Sequence, residues 1–236
     1  MPDDRSAQLA ANLRAQRERI AAACVAAGRS PDSVTLVAVS KTYPASDVVA
    51  LARLGVTEIG ENRDQEAAGK AAEVAAAGVE VRWHFVGRLQ RNKCRSVVRY
   101  ASVVHSVDSV ALAGALAKAA VSRADPLDVL VQVSLDGDPD RGGAFGADVE
   151  RVAAAVAGAD RLALRGVMAV APLSGSPDEA YERLATVAER LRVGFPTATV
   201  ISAGMSGDLE PAIRNGATHV RIGSALLGKR PGAAVI

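Results

Sequence analysis

A closed (β/α)8 TIM barrel preceded by an additional N-terminal helix is the fold this sequence predicts, and three observations predict it. Short β-branched runs alternate with Ala-, Leu-, Glu- and Arg-rich stretches of helical period along the whole 236-residue chain, the pattern of repeated βα units on a parallel sheet. Eight such runs can be read, and eight strands, each followed by a helix, fit a closed barrel at about this length. No Pro/Gly/Ser-rich linker divides the chain, and no GxGxxG turn follows the first strand, which disfavours an open doubly wound sheet. Residues 1–236 therefore read as one domain, with 1–30 a helical segment packed on the barrel.

The elements follow in order. Residues 6–27 are amphipathic, with Leu9, Leu13 and Ile20 among alanines and Arg14, Arg17, Glu18 and Arg19 on the polar side, so this helix should cap the barrel or lie on its flank. Strands are expected at 35–40, 56–60, 81–86, 102–107, 128–134, 164–170, 199–203 and 219–222. Helices are expected between them at 47–54, 61–77, 109–123, 148–157, 177–192 and 209–215. The turn-rich Asp136-Gly137-Asp138-Pro139-Asp140-Arg141-Gly142-Gly143 follows the fifth strand and predicts a mobile loop on the C-terminal face.

Composition narrows the function. At 49% hydrophobic and 23% charged residues the chain is globular, and its formal charge of +2 carries no footprint for nucleic acid. The densest basic stretch, Arg88 to Arg95 with Arg99, reads as a solvated loop and helix face. Two cysteines, Cys24 and Cys94, without CxxC spacing imply a reduced, cytoplasmic protein. No apolar run reaches membrane-spanning length, and His84, His105 and His219 lack metal-gathering spacing. No metal, nucleic-acid or membrane partner is expected, and a monomer is.

The chemistry concentrates at strand ends. Lys41, one of five lysines, closes the apolar run Val34-Thr35-Leu36-Val37-Ala38-Val39-Ser40-Lys41. Partial desolvation there favours the neutral amine, which an arginine could never supply, and makes Lys41 a candidate Schiff-base nucleophile; a strand-end lysine pointing into water is the plainer alternative. After strand seven comes Ser202-Ala203-Gly204-Met205-Ser206-Gly207-Asp208, and after strand eight Gly223-Ser224. Glycine lets a backbone approach a ligand and Ser206 can cap the next helix while offering its hydroxyl; strands seven and eight are where such barrels hold phosphate. Arg221, inside the last strand, needs a partner there, either a carboxylate on a neighbouring strand or a ligand at the mouth. An amine on strand one, an arginine on strand eight and an anion cup between strands seven and eight become neighbours when a barrel closes, and together they describe a pocket for pyridoxal phosphate.

These residues carry a family resemblance. Lys41 in Val-Ala-Val-Ser-Lys-Thr, Gly60-Glu61-Asn62-Arg63, Trp83-His84-Phe85-Val86-Gly87-Arg88-Leu89-Gln90-Arg91-Asn92-Lys93, His105-Ser106-Val107-Asp108, Arg165-Gly166-Val167-Met168-Ala169, Gly204-Met205-Ser206 and Val220-Arg221-Ile222-Gly223-Ser224 resemble the pyridoxal phosphate homeostasis proteins, in order from about 37 to 230. The resemblance implies a barrel similar to the N-terminal domain of alanine racemase, with the cofactor held as a Schiff base on Lys41. It implies phosphate contacts from Ser206, Gly223 and Ser224, Arg221 facing the pyridine nitrogen, and Asn62, His84, Met168 and Met205 around the pocket. The family's role is cofactor storage and delivery, with pyridoxal phosphate-dependent apoenzymes as recipients and no general turnover; a minor amino-acid racemase is the alternative. A racemase's second acid or base comes from a separate C-terminal domain, which a chain ending at Ile236 is expected to lack. Three places depart from the family pattern: Ala203 for a methionine, Arg88 for a bulky or imidazole side chain, and Arg141-Gly142-Gly143 where a lysine is common. Lys93 and Lys229 are then the secondary lysines left near the mouth.

Overall fold

The computed structural model describes residues 4–138 and 141–228. Helix α1 (Asp4–Ala26) leads through a short 3-10 turn into β1 (Thr35–Val39) and α2 (Ala45–Arg53). The βα unit then repeats as β2 (Glu58–Glu61) and α3 (Asp64–Ala76), β3 (Arg82–Phe85) and α4 (Cys94–Tyr100), and β4 (Ala101–Val107) and α5 (Val110–Ala119). It continues as β5 (Leu127–Gln132) and α6 (Asp148–Ala157), β6 (Leu162–Met168) and α7 (Pro177–Gly194), β7 (Val200–Ser202) and α8 (Leu209–Arg214), and β8 (His219–Ile222) and α9 (Ser224–Leu227). The eight strands close in sequence order into a parallel barrel, as expected. Closure sets β8 against β1 with Val37 opposite Arg221 and Ala38 opposite Ile222, so the residues after both strands share one mouth.

Differences from the expected boundaries have local causes. Strand β2 starts two residues late because the Val56 amide still bonds back to Leu51 O at the end of α2. It also runs on to Glu61, a carboxylate the period assigned to a helix. The basic stretch read as a loop and helix face contains α4, whose basic residues lie opposite the buried Cys94, Val97 and Val98. Among the described residues of the fifth-strand loop, Arg141 is tied down, donating to Val170 O and Ala171 O at 3.1 and 2.7 Å.

The apolar core has two parts. One lies between β4 to β7 and helices α4 to α7, with Val104, Leu116, Val129, Val167 and Leu184 at its centre. The other gathers Leu9, Leu13, Ile20 and Cys24 of α1 with Ala38, Val48, Ile59, Leu209, Val220 and Leu226, so α1 packs on the barrel flank over the strands that carry the mouth. Inside the barrel His84, His105, Ser202 and Arg221 are buried, with Val103 and Leu130 beside the two histidines. Each of these polar side chains has to be hydrogen-bonded or compensated.

Candidate functional site

The Lys41 turn is held from outside itself. Lys41 follows β1 directly, and its neighbour Thr42 has φ 72°, a left-handed conformation that a β-branched residue adopts only when its surroundings impose it. Here α3 imposes it. The Thr42 amide donates to Glu66 Oε1, and the buried Lys70 ammonium bonds Glu61 Oε1, Glu66 Oε1 at 3.1 Å and Ser40 O at 2.8 Å. Ser40 Oγ donates to Glu61 Oε1 at 2.7 Å. Both residues flanking Lys41 are thus pinned while Lys41 itself, half-buried, has no hydrogen bond or ion pair with any described residue. Burial pushes the Glu61 carboxyl up, against the lowering pull of Lys70 and Ser40. Sequence reading missed Glu61, Glu66 and Lys70; the i,i+4 spacing of Glu66 and Lys70 at the start of a helix was the available signal.

The cup opposite Lys41 is built by the turns after β7 and β8. Gly204 has φ 89°, and a Cβ there would come within 2.7 Å of Ala212 Cβ, so only glycine lets this turn close on α8. Asp208 staples the turn: its Oδ1 accepts the Met205 amide at 2.6 Å and its Oδ2 the Tyr181 hydroxyl at 2.7 Å. The Arg221 amide donates to Gly204 O at 2.9 Å, joining β8 to the same turn. Ser206 does not cap α8, contrary to expectation, because the cap position is Asp208. Ser224 lies inside α9, whose cap is Gly223. Neither hydroxyl has a partner among the described residues, so capping accounts for neither serine.

Arg221 is the most informative group. It is 5% exposed, and its guanidinium donates to Ser202 Oγ at 2.8 Å and Ala169 O at 2.9 Å. No carboxylate lies within ion-pairing distance among the described residues. Burial pulls it below its ordinary value, with the charges of Tyr181 and Asp208 acting the other way. A buried cation held only by neutral acceptors is costly unless a ligand completes its surroundings.

These elements enclose a cavity of about 430 Å3 lined by Lys41, Asn62, Met168, Met205, Ser206, Arg221, Gly223 and Ser224, with Val39, Val86, Gly87, Val170 and Gly207. Every expected site residue lines it except His84. Gly87 presses so closely on the Asn62 backbone that a Cβ would fall 2.1 Å from its carbonyl oxygen, and this contact sets Asn62 into the wall. His84 is corrected: it sits inside the barrel below the cavity, bonded to His105 and Glu58, because its position in β3 turns it to the interior. Arg88 and Lys93 line a second cavity of about 540 Å3 that shares Asn62 with the first. Lys229 lies outside the described residues. Tyr43 is buried and donates to Gly228 O at 2.6 Å. Among the described residues no cluster of His, Cys, Asp or Glu could hold a metal ion, and no helix is long and apolar enough to cross a membrane.

Lys41, the glycine turns after β7 and β8 and the buried Arg221 lie together at the C-terminal mouth of an eight-stranded barrel, and the chain is of the alanine racemase barrel type: the family model described as alanine racemase, N-terminal domain, matches residues 6–231. A pyridoxal phosphate homeostasis protein of Mycobacterium tuberculosis is 46% identical over 96% of this chain and 95% of its own length, and one of Escherichia coli is 38% identical over 94% and 97%. The chain belongs to the pyridoxal phosphate homeostasis protein family. PipY of Synechococcus elongatus, solved with pyridoxal phosphate bound, is 33% identical, covers 93% of this chain and all of its own, and superposes with a TM-score of 0.81.

Proposed function

We propose that this protein binds pyridoxal phosphate and serves its homeostasis, holding the cofactor covalently through the Lys41 amine and passing it to apoenzymes without turnover of its own. The observation that carries the reading is the Arg221 guanidinium, buried without a carboxylate in reach and facing a cavity whose other polar side chains are the Lys41 amine, the Asn62 amide and the hydroxyls of Ser206 and Ser224, the amine and both hydroxyls without partners among the described residues. The residues fit the group: Ser206, Gly223 and Ser224 would hold a phosphate, Arg221 the ring nitrogen, and Val39, Met168 and Met205 the faces of the ring, with Asn62 at the rim. When bound, the cofactor supplies an aldehyde for reversible attachment to amines and a ring that can withdraw electrons.

Arg221 suits a carrier, or a racemase that avoids long-lived carbanions, rather than chemistry through a stabilised carbanion. A guanidinium donates hydrogen bonds and does not surrender its protons, so it leaves the ring nitrogen unprotonated and the electron sink weak. Racemisation also needs a second acid or base across the ring from the lysine. Besides Lys41 and Arg221 the cavity is lined by Asn62, serines, methionines, valines and glycines, with no His, Tyr, Cys, Asp or Glu among the described residues. Two free, buried cysteines suit a reducing cytoplasm.

The test is reductive trapping. Purified protein incubated with pyridoxal phosphate should gain a visible absorption band, and borohydride should fix a pyridoxyl tag on the peptide containing Lys41. Lys41→Ala should lose band and tag while keeping its far-ultraviolet circular dichroism, since a half-buried turn residue adds little to the core. A tag that persists elsewhere after Lys41→Ala refutes the anchor. Incubation with D- or L-alanine should give no inversion above that of free cofactor, and sustained turnover would overturn the storage role.

A further inference from the structure

The barrel interior holds three histidines that nothing above employs. His84 on β3 and His105 on β4 are buried edge to face with ring centroids 5.0 Å apart, and His219 on β8 lies 6.4 Å from His84. Their contacts continue from Arg221. Arg221 Nη1 donates to Ser202 Oγ at 2.8 Å, Ser202 Oγ stands 3.0 Å from His105 Nδ1, His105 Nε2 stands 2.7 Å from His84 Nδ1, and His84 Nε2 meets Glu58 Oε2. Glu58 opens β2 and so lies at the far end of the barrel from Lys41, in a charged group with Arg82, Asp128 and Arg165.

The first link fixes the direction of the rest. A guanidinium can only donate, so Ser202 Oγ accepts there and its own hydrogen needs another acceptor. His105 Nδ1 is the acceptor in reach. Burial above all, with the charge of Arg221 acting the same way, holds His105 well below its ordinary value, and a neutral imidazole carries one proton. With Nδ1 accepting, that proton is on Nε2 and is donated to His84 Nδ1; His84 Nε2–H then donates to the Glu58 carboxylate.

We propose that Ser202, His105, His84 and Glu58 form a one-way hydrogen-bond relay that positions the Arg221 guanidinium at the cofactor site and gives its charge a carboxylate partner at a distance. The proposal rests on the reading of Arg221 as the ring-facing group. It explains why a buried arginine has no adjacent carboxylate: the counter-charge sits four links away, and each link is polarised in the same sense. His84 and His105 are positioning residues, since neither reaches the cavity.

Two measurements test it. In the cofactor-free, unmodified protein, long-range 1H–15N NMR of the histidine rings should show His105 and His84 each with the proton on Nε2 and none on Nδ1. A proton on His105 Nδ1 would reverse the chain and overturn the relay. Titration of the visible band with pyridoxal phosphate should show Ser202→Ala and His105→Leu each weakening affinity roughly tenfold, about 1.4 kcal/mol. The double variant should be no weaker than either single one, because both cut the same chain. Additive losses, as from a histidine that merely fills space, or unchanged affinity in folded variants, would refute it. Asp128→Asn, which alters the same charged group outside the chain, should stay within about twofold. If His105→Leu fails to fold, Ser202→Ala and the ring protons still decide. Failure of the unmodified protein to bind pyridoxal phosphate would sink the functional reading, and the proton pattern separates that failure from failure of the relay.

Discussion

Two lysines in this chain show how neighbours decide a side chain's work. Lys70 is 6% exposed and Glu61 fully buried, yet the pair is not an isolated charge couple: Glu66, Ser40 O and Ser40 Oγ join it. Such a network stabilises little relative to an apolar replacement, but removing one member strands the other in low dielectric. Lys70→Met should therefore cost about 3–5 kcal/mol in urea denaturation, with Glu61 left as the unpaired charge. A Lys70→Met/Glu61→Leu double variant should recover most of that loss. Cofactor binding should not recover with it, because Ser40, next to Lys41, would lack both its tethers, Lys70 at its carbonyl and Glu61 at its hydroxyl. Recovery of both together would mean that the network stabilises the barrel without shaping the Lys41 turn.

Among the elements, α1 does more than cover apolar surface. Asn12 Nδ2 donates to Leu226 O at 2.9 Å, Arg5 Nη2 to Leu227 O at 2.9 Å and Arg19 Nη1 to Ser206 O at 2.7 Å, so one helix holds the segments after β7 and β8 that form the cup. Arg19→Ala removes a partly exposed pair with Glu210, worth about 0–1 kcal/mol, so global stability should barely change. Hydrogen exchange of the turn at 203–208 should nonetheless quicken; protection equal to the unmodified protein would deny α1 that role. Leu13→Ala, at 3% exposure, should instead cost about 2–5 kcal/mol through its cavity. The amphipathic period of α1 was legible in the sequence, as were the eight strands, because each element has one apolar face or run. The mouth was legible too, since Lys41, Gly204-Met205-Ser206 and Arg221 to Ser224 end strands. What escaped were residues whose role arises only on closure. His84 was taken for a pocket residue because its motif names it but not the face of β3 it occupies, and Ser202, Glu58 and Lys70 look like ordinary polar residues until the partner strand or helix arrives.

At the scale of the whole molecule, a barrel filled with imidazoles is a barrel that acid opens. Burial above all, with the charges of Arg82 and Arg221 acting the same way and Glu58 pulling the other, lowers His219 from 6.5 to about 4; His105 is lowered as well. Between pH 6.5 and about 4 the unfolded chain takes up protons that the native barrel refuses, so stability rises with pH across that window. It is flat above the window and fully lost, as far as His219 contributes, below about pH 4. One such proton is worth about 1.4 kcal/mol per pH unit at most, and two histidines double the slope. Glu58, lowered by His84 and Arg82 against its own burial, adds a loss in the same direction as pH falls through its folded value. Urea midpoints at pH 7.5, 6 and 5 should decline progressively, and His219→Asn, which can retain the contact to Thr218 Oγ1 at 2.9 Å, should remove about one proton from the slope. A midpoint that holds level from pH 7.5 to 5 would mean that the interior histidines take up protons without strain, and a neutral His105 would go with it.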